Sequence, residues 1–307
     1  MGKVTVAANS VQQLAQFVFA MLSRLVPQSM RISLIAMLFN SKAIGFFVDV
    51  LYKLFAKDAM QDTQAFFREN MSRAEAAAAL LEDEKSKEVY RSLIQYRCSR
   101  KRRDINPYQD KNLSAYLDKE LIAPSPSEVF ADCGAYGGES SLLFQKYCLS
   151  AGQPAPQCIL IEPDPLNQRC LNKNIPKFAK EPIVFPIGLW SRGDNLNFFS
   201  NSVDSRIDSA GSHNVAVDTL DNLLGNIPEL PPITYIKIDV EGADLDVLHG
   251  AHRTIQKYRP RIAIAIYHTD EHMLKIPETI HALYPEYRLF IRHYSSTHPE
   301  TMLYCLP

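Results

Sequence analysis

The sequence has 307 residues, 46% hydrophobic and 22% charged, with a formal net charge of −1. That length holds one large domain plus an accessory region, and the composition is that of a soluble globular chain. The near-neutral balance argues against a general nucleic-acid binder, and six cysteines without a C-x-x-C pair offer no zinc or disulfide framework, as expected of a reduced, cytoplasmic protein.

Residues 1–123 read as a helical region. Leu14, Phe17, Val18, Met21, Leu22 and Leu25 share one face of an amphipathic helix that Pro27 ends. A second helical run covers Ile32 to Phe39, and a third carries Val48, Leu51, Tyr52 and Phe55 on one side. Glutamines and flanking charges interrupt these runs, so neither a transmembrane helix nor a cleaved signal peptide is expected. Peripheral membrane contact through residues 11–55 stays open on the amphipathic pattern. Ser72-Arg-Ala-Glu75 has the capping-box form, and one helix is expected to run from it through Leu80, Leu81, Val89, Tyr90, Leu93 and Ile94. It ends in the basic run Arg97–Arg103, read as a solvated helix end that complements the macrodipole, with a phosphorylated-substrate or RNA site as the alternative. Pro124-Ser-Pro-Ser127 marks the boundary to a second region, 124–307.

That region alternates strands and helices. Val129-Phe-Ala131 is a strand ending at Asp132, followed by the glycine turn Gly134-Ala-Tyr-Gly-Gly138 and a helix with Leu142, Leu143, Phe144 and Tyr147. Strand, glycine turn and helix in that order suit a ligand that needs backbone donors and a positive helix end. The strand Gln157–Ile161 ends at Glu162, which Pro163 holds at the tip, where it can accept hydrogen bonds from both hydroxyls of a ribose. Helix Leu166–Lys173, strand Ile183–Phe185, short extra strands near 195–200 and 215–217, and a helical turn from Thr219 to Leu224 follow. A strand from Ile233 ends at Asp239, and Gly242 turns the chain into a helix with Leu245, Val247 and Leu248. The strand Arg261–Ile266 ends in Tyr267-His268; a helix over Ile276–Leu283 and a closing hairpin of 287–294 and 302–305 complete the chain. The expected fold is α/β, a doubly wound, mostly parallel sheet with a C-terminal antiparallel hairpin, preceded by the helical region.

Asp132-Cys-Gly-Ala-Tyr-Gly-Gly138, Glu162-Pro-Asp-Pro165 with Asn174-Ile175, and Lys237-Ile-Asp-Val-Glu-Gly242 with Gly250-Ala251 resemble the FkbM family of class I S-adenosylmethionine-dependent methyltransferases. The likeness runs in order through Val129–Cys305. It implies a Rossmann-like sheet and a cofactor, S-adenosyl-L-methionine, held by Asp132, Gly134, Ala135, Tyr136 and Gly138 at the methionine part, by Glu162 and Pro163 at the ribose, and by Gly188, Leu189 and Trp190 around the adenine. Tyr136 stands where many members have Asn, and Gly137 where the closer branch often has Asp. The implied reaction is O-methylation of a sugar, glycan or natural-product small molecule.

A hydroxyl acceptor must lose its proton, and His268 at a strand tip is the first choice of base, with Asp239 as the alternative or as the group that orients the hydroxyl. Lys237 is expected to pair with Asp239, and His293 to pack. Asp239, Glu241 and His268 form a hard-ligand set, but no spacing demands a metal and none is expected. The absent G-x-G-x-x-G disfavours a nicotinamide-dependent dehydrogenase. A non-catalytic scaffold and an RNA methyltransferase using Arg100–Arg103 remain as alternatives, the latter disfavoured by the charge balance; DNA is not expected as a partner. Oligomeric state has no signature in the sequence.

Overall fold

A short-range polar contact, more than apolar periodicity, decides where the third described helix ahead of the sheet begins. The computed structural model describes residues 57–110, 115–200, 205–207, 211, 213–227, 229–295 and 299–307. The amphipathic runs expected within 11–55 lie outside the described residues. Helices α1 (Lys57–Glu69), α2 (Met71–Ala79) and α3 (Glu84–Ser99) come first. The single helix expected from Ser72 is thus two. Ser72 lies inside α2, whose N-cap Asn70 makes no side-chain cap bond, and α3 opens on Asp83, whose carboxylate accepts from the Ser86 N–H at 2.7 Å. That side-chain bond satisfies an end donor and stabilises a break that the run of apolar positions hides. The basic run is only partly solvated. Arg97 and Arg100 are buried, and Arg100 caps α3 in the left-handed region at φ 51°.

By compactness, the described residues within 1–112 and 291–301 form one unit, and those within 113–290 and 302–307 form a second. The expected boundary at 123/124 therefore lies inside the second unit. Residues before it are tied there: the Tyr147 hydroxyl donates to the Ile122 carbonyl at 3.1 Å, and Arg261 donates to that of Ala123. No helix among the described residues is long and apolar enough to cross a membrane.

In chain order the strands are β1 (Val129–Cys133), β2 (Gln157–Ile161), β3 (Ile183–Phe185), β4 (Gly188–Leu189), β5 (Asp194–Phe199), β6 (Arg206–Ile207), β7 (His213–Asp218), β8 (Tyr235–Ile238), β9 (Arg261–Ala265), β10 (Arg288–His293) and β11 (Thr301–Leu306). Helices α4 (Glu139–Ser150), α5 (Pro165–Asn174), α6 (Leu220–Gly225), α7 (Asp244–Gly250), α8 (His252–Tyr258) and α9 (Asp270–Leu283) connect them. The larger sheet has the order β10-β11-β9-β8-β1-β2-β3. From β3 to β9 the neighbours are parallel, and β11 runs antiparallel to β9. All five residues of β1 are buried, which is why Val129-Phe-Ala131 is a continuous apolar run rather than an alternating one.

Strand order reverses at β1, which pairs with β2 on one side and with β8 on the other. The carboxyl ends of these strands thus open a crevice at the switch point. Beneath it Phe130, Phe144 and Tyr235 stack with centroids 4.8 to 5.4 Å apart, joining β1, α4 and β8. Each such pair contributes about 0.5–1.5 kcal/mol beyond its burial. The segments expected as loose extra strands form a second sheet, β4-β7-β5-β6. Helix α9 begins earlier than its apolar stripe suggests, because the Thr269 hydroxyl accepts from the His272 N–H at 3.0 Å.

Candidate active site

The turn after β1 is bent by residues that accept a positive φ: Gly134 at 83°, Tyr136 at 50° and Gly138 at 82°. A Cβ on Gly134 would lie 2.0 Å from the Asp239 carbonyl oxygen, so only glycine lets the turn press against the end of β8. The N–H groups of Gly134 and Ala135 donate to the Ile161 carbonyl, and that of Tyr136 donates to Glu162 Oε2 at 2.9 Å. The turn is therefore tied to the tip of β2, and most of its donors are spent inside the protein.

Asp132 sits beneath this turn, fully buried. One oxygen faces Lys237 Nζ at 3.0 Å, and the other accepts from the Ser140 and Ser141 hydroxyls at 2.7 and 2.6 Å. Lys237 also donates to the Gly134 carbonyl at 2.5 Å. The expected pairing of Lys237 with Asp239 is replaced by this one, because Asp132 and Lys237 are register partners on adjacent strands while Asp239 lies past the end of β8. Burial opposes the Lys237 charge, yet Asp132, and behind it Asp239, hold its ammonium above the ordinary lysine range. Asp132 braces the turn from behind.

Glu162 stands at the tip of β2, 5% exposed. Its oxygens accept from the N–H groups of Tyr136 and Asp164, each at 2.9 Å, and from Asn167 Nδ2 at 3.3 Å. Burial nevertheless pushes its carboxyl up to about 7. A carboxylate has places for about four donors, so one remains for a hydroxyl such as a ribose offers. Pro163 follows, and Gly188 approaches it: a Cβ there would be 3.8 Å from Pro163 Cβ. Gly188 and Leu189 are buried strand residues, and the Trp190 N–H donates to the Asp218 carbonyl at 3.0 Å. Gly250 lets α7 approach the Trp190 carbonyl, which its Cβ would meet at 2.3 Å. The three segments read as cofactor contacts thus lie at consecutive points around one strand end.

On the other side of the turn, the loops after β8 and β9 bring Asp239, Glu241, Asp244 and His268 together. His268 Nδ1 is 2.6 Å from Asp244 Oδ2, and its Nε2 is 3.2 Å from Asp239 Oδ1 and 3.5 Å from Glu241 Oε2. Asp244 is fully buried and also accepts from the N–H groups of Val240 and Gly242 at 3.1 and 3.2 Å. Asp239 accepts from the Tyr116 hydroxyl, and from that of Tyr267 at 3.2 Å. Burial opposes every charge here, but the mutual attraction wins. It holds Asp239 below the usual carboxylate range and lifts His268 well above the ordinary histidine range, with Asp244 the largest attraction acting on it.

His268, the first choice of base, thus faces carboxylates at both ring nitrogens, Asp244 at Nδ1 and Asp239 and Glu241 at Nε2. His293 is buried beside Thr301, 2.8 Å from its hydroxyl, in line with a packing role. Sequence reasoning missed Tyr116, Tyr267 and Asp244 as site residues. Tyr267 adjoins His268 and was within reach of inspection. Tyr116 lies 123 residues from Asp239 along the chain and carries no local signal.

The model of the methyltransferase FkbM domain matches residues 132–295, just over half of the chain. The chain belongs to the FkbM methyltransferase family. Among solved structures it is similar to methyltransferase FkbM from Methylobacillus flagellatus KT, with 24% identity and a TM-score of 0.66 over 78% of this chain and 60% of that one. This FkbM chain thus spans 60% of that protein's length, less than two thirds of it. A looser likeness, at 13% identity and a TM-score of 0.39, is to precorrin-6y C5,15-methyltransferase from Geobacter metallireducens GS-15, over 65% of this chain and 94% of that one. No curated protein matches the sequence.

Proposed function

We propose that this FkbM methyltransferase O-methylates a hydroxyl of a sugar, glycan or natural-product small molecule, with S-adenosylmethionine as donor. The observation that carries the reading is contiguity: the Asp239 carbonyl lies against Gly134, so the Asp239–His268 cluster borders the glycine turn on one side while Glu162 grips it on the other. S-adenosylmethionine, when bound, supplies an electrophilic methyl on a sulfonium. Glu162 would hold its ribose, the Gly134–Gly138 turn its methionine part, and Gly188–Trp190 the surroundings of its base.

Asp239 is the group we assign to the acceptor. Its carboxylate is oriented by the hydroxyls of Tyr116 and Tyr267, and it receives the hydroxyl proton as the oxygen–carbon bond forms and the carbon–sulfur bond of the donor breaks. An oxygen that has gained a methyl is strongly acidic, so a weakly basic carboxylate suffices. His268 lies beside that carboxylate, Nε2 to Oδ1 at 3.2 Å, and is not the group to which the proton is assigned. Positioning of the two reactants can lower the barrier by roughly 7–11 kcal/mol. None of the six cysteines, all among the described residues, is joined in a disulfide, which suits a reducing compartment such as the cytoplasm.

Isothermal titration with S-adenosylhomocysteine and labelled methyl transfer to a panel of glycans and hydroxylated small molecules test the reading. Asp239→Asn should lower turnover by about 10²–10⁴-fold while cofactor affinity is kept. A wild-type chain that does not bind S-adenosylhomocysteine would sink the proposal.

A further inference from the structure

We propose that Asp239, Glu241 and His268 form a binding site for a divalent cation of the Mn²⁺ class, with Asp244 as the residue that positions His268. The three ligand atoms converge: His268 Nε2 faces Asp239 Oδ1 at 3.2 Å and Glu241 Oε2 at 3.5 Å. An ion with bonds of about 2.1–2.2 Å holds neighbouring ligands roughly 3.0–3.5 Å apart, depending on the angle between them. The two distances from Nε2 match those between ligands of one small cation, and all three ligand atoms lie within 4.8 Å of one another.

A second observation comes from the histidine itself. The His268 side chain is only 8% exposed, and its Nε2, although aimed between two carboxylate oxygens, makes no hydrogen bond with either. Its other nitrogen is bound tightly, Nδ1 to Asp244 Oδ2 at 2.6 Å. A carboxylate on one imidazole nitrogen and a cation on the other is the usual arrangement of a ligating histidine, in which the carboxylate fixes tautomer and ring orientation. Asp244 is itself held by the N–H groups of Val240 and Gly242, so the ring is anchored to the backbone of the loop that carries Asp239 and Glu241. Glu241 reaches the cluster from a left-handed backbone position, φ 52°, which an unbranched residue other than glycine seldom adopts.

Two carboxylates and one imidazole are a mixed oxygen and nitrogen set, suited to Mn²⁺ and its neighbours rather than to a thiophilic ion. Three protein ligands leave open positions on an ion of this kind. On the reading proposed above, those positions would take an acceptor hydroxyl oxygen and make it more acidic. The cation site itself does not depend on that reading.

The test is titration of the full chain with Mn²⁺, following loss of the free-ion electron paramagnetic resonance signal, with S-adenosylhomocysteine binding measured on the same samples. One saturable Mn²⁺ per chain is expected. His268→Ala and Glu241→Gln should each weaken it by at least the ~10–100-fold that loss of an outer partner costs, and Asp244→Asn by about that amount at unchanged melting temperature. His272→Ala should still bind, since that histidine approaches Asp244 Oδ2, at 3.5 Å, and is not one of the three ligands. Absence of stoichiometric Mn²⁺ binding by the wild-type chain overturns the site. So does binding that survives His268→Ala, or that depends on His272 and not on Glu241. Mn²⁺ binding without S-adenosylhomocysteine binding leaves the cation site standing and removes the methyl-transfer reading; the converse does the opposite.

Discussion

Lys237 and Asp132 face each other across β8 and β1 at 3.0 Å, register partners on neighbouring parallel strands and both out of solvent. The ammonium also bonds the Gly134 carbonyl, so one buried cation joins two strands and the turn between β1 and α4. Removing one member of a buried pair leaves the other charge uncompensated, at about 3–5 kcal/mol. Lys237→Met is therefore expected to lower unfolding free energy by about that amount in urea denaturation. Lys237→Met combined with Asp132→Asn should recover part of the loss. A single variant as stable as wild type would show that the pair is not what holds the turn.

Glu162 gives a pH dependence of definite sign. Burial raises its folded-state carboxyl from 4.5 to about 7, so the folded chain binds this proton more tightly than the unfolded chain does. Its contribution to stability is complete below about pH 4.5 and is lost as pH rises through about 7, roughly 3 kcal/mol at ~1.4 kcal/mol per unit. Glu162→Gln should flatten that part of the stability profile of the ligand-free chain. Ribose hydroxyls donating to Glu162 would favour its charged form, so S-adenosylhomocysteine affinity should rise over the same window, with proton release visible in calorimetry across buffers. Affinity independent of pH from 5 to 8 would falsify the ribose assignment.

Gly134 and Gly152 separate conformational strain from contact. Both are left-handed, at φ 83° and 73°, but a Cβ on Gly152 meets open space while one on Gly134 meets the Asp239 carbonyl at 2.0 Å. Gly152→Ala should cost about 1–2 kcal/mol, the left-handed penalty alone. Gly134→Ala should cost clearly more and should also weaken S-adenosylhomocysteine binding, because the turn must move off β8. Equal losses in thermal melts of the two variants would remove the contact from the explanation.

Arg292 and Asp83 make the acid-sensitive link of the helical unit. Arg292 is 3% exposed and meets Asp83 at 2.8 Å, and it also donates to the Ser86 hydroxyl at 2.9 Å. Burial would raise the Asp83 carboxyl, but hydrogen bonds from Arg292 and Ser86 lower it from 3.8 to about 2. Its stabilisation is thus present above about pH 3.8 and lost as pH falls toward 2. Circular dichroism melts between pH 2 and 5 should show this limb in wild type and a flatter one in Asp83→Asn. An unchanged limb in the variant would assign acid sensitivity to other carboxylates.

The sequence by itself determined the strands of the large sheet, the glycine turn, and the placement of Asp132, Glu162 and Asp239 at strand ends. A buried parallel strand must be a short apolar run, and the chain must turn where that run stops, so both facts are written in consecutive residues. What lay outside local reach was partnership. Lys237 and Asp239 are two apart, yet Lys237 pairs with Asp132, which the sheet register sets opposite it. The break between α2 and α3 is reinforced by Arg292, 209 residues from Asp83. A strand-tip position and the ordinary titration range of imidazole point to His268 as a base, and only the folding of Asp239, Glu241 and Asp244 around it sets carboxylates against the ring that raise it well above that range. Apolar periodicity is summed along the chain, but a charge takes its state from whatever the tertiary fold brings within a few ångströms of it, and that decided the chemistry of this site.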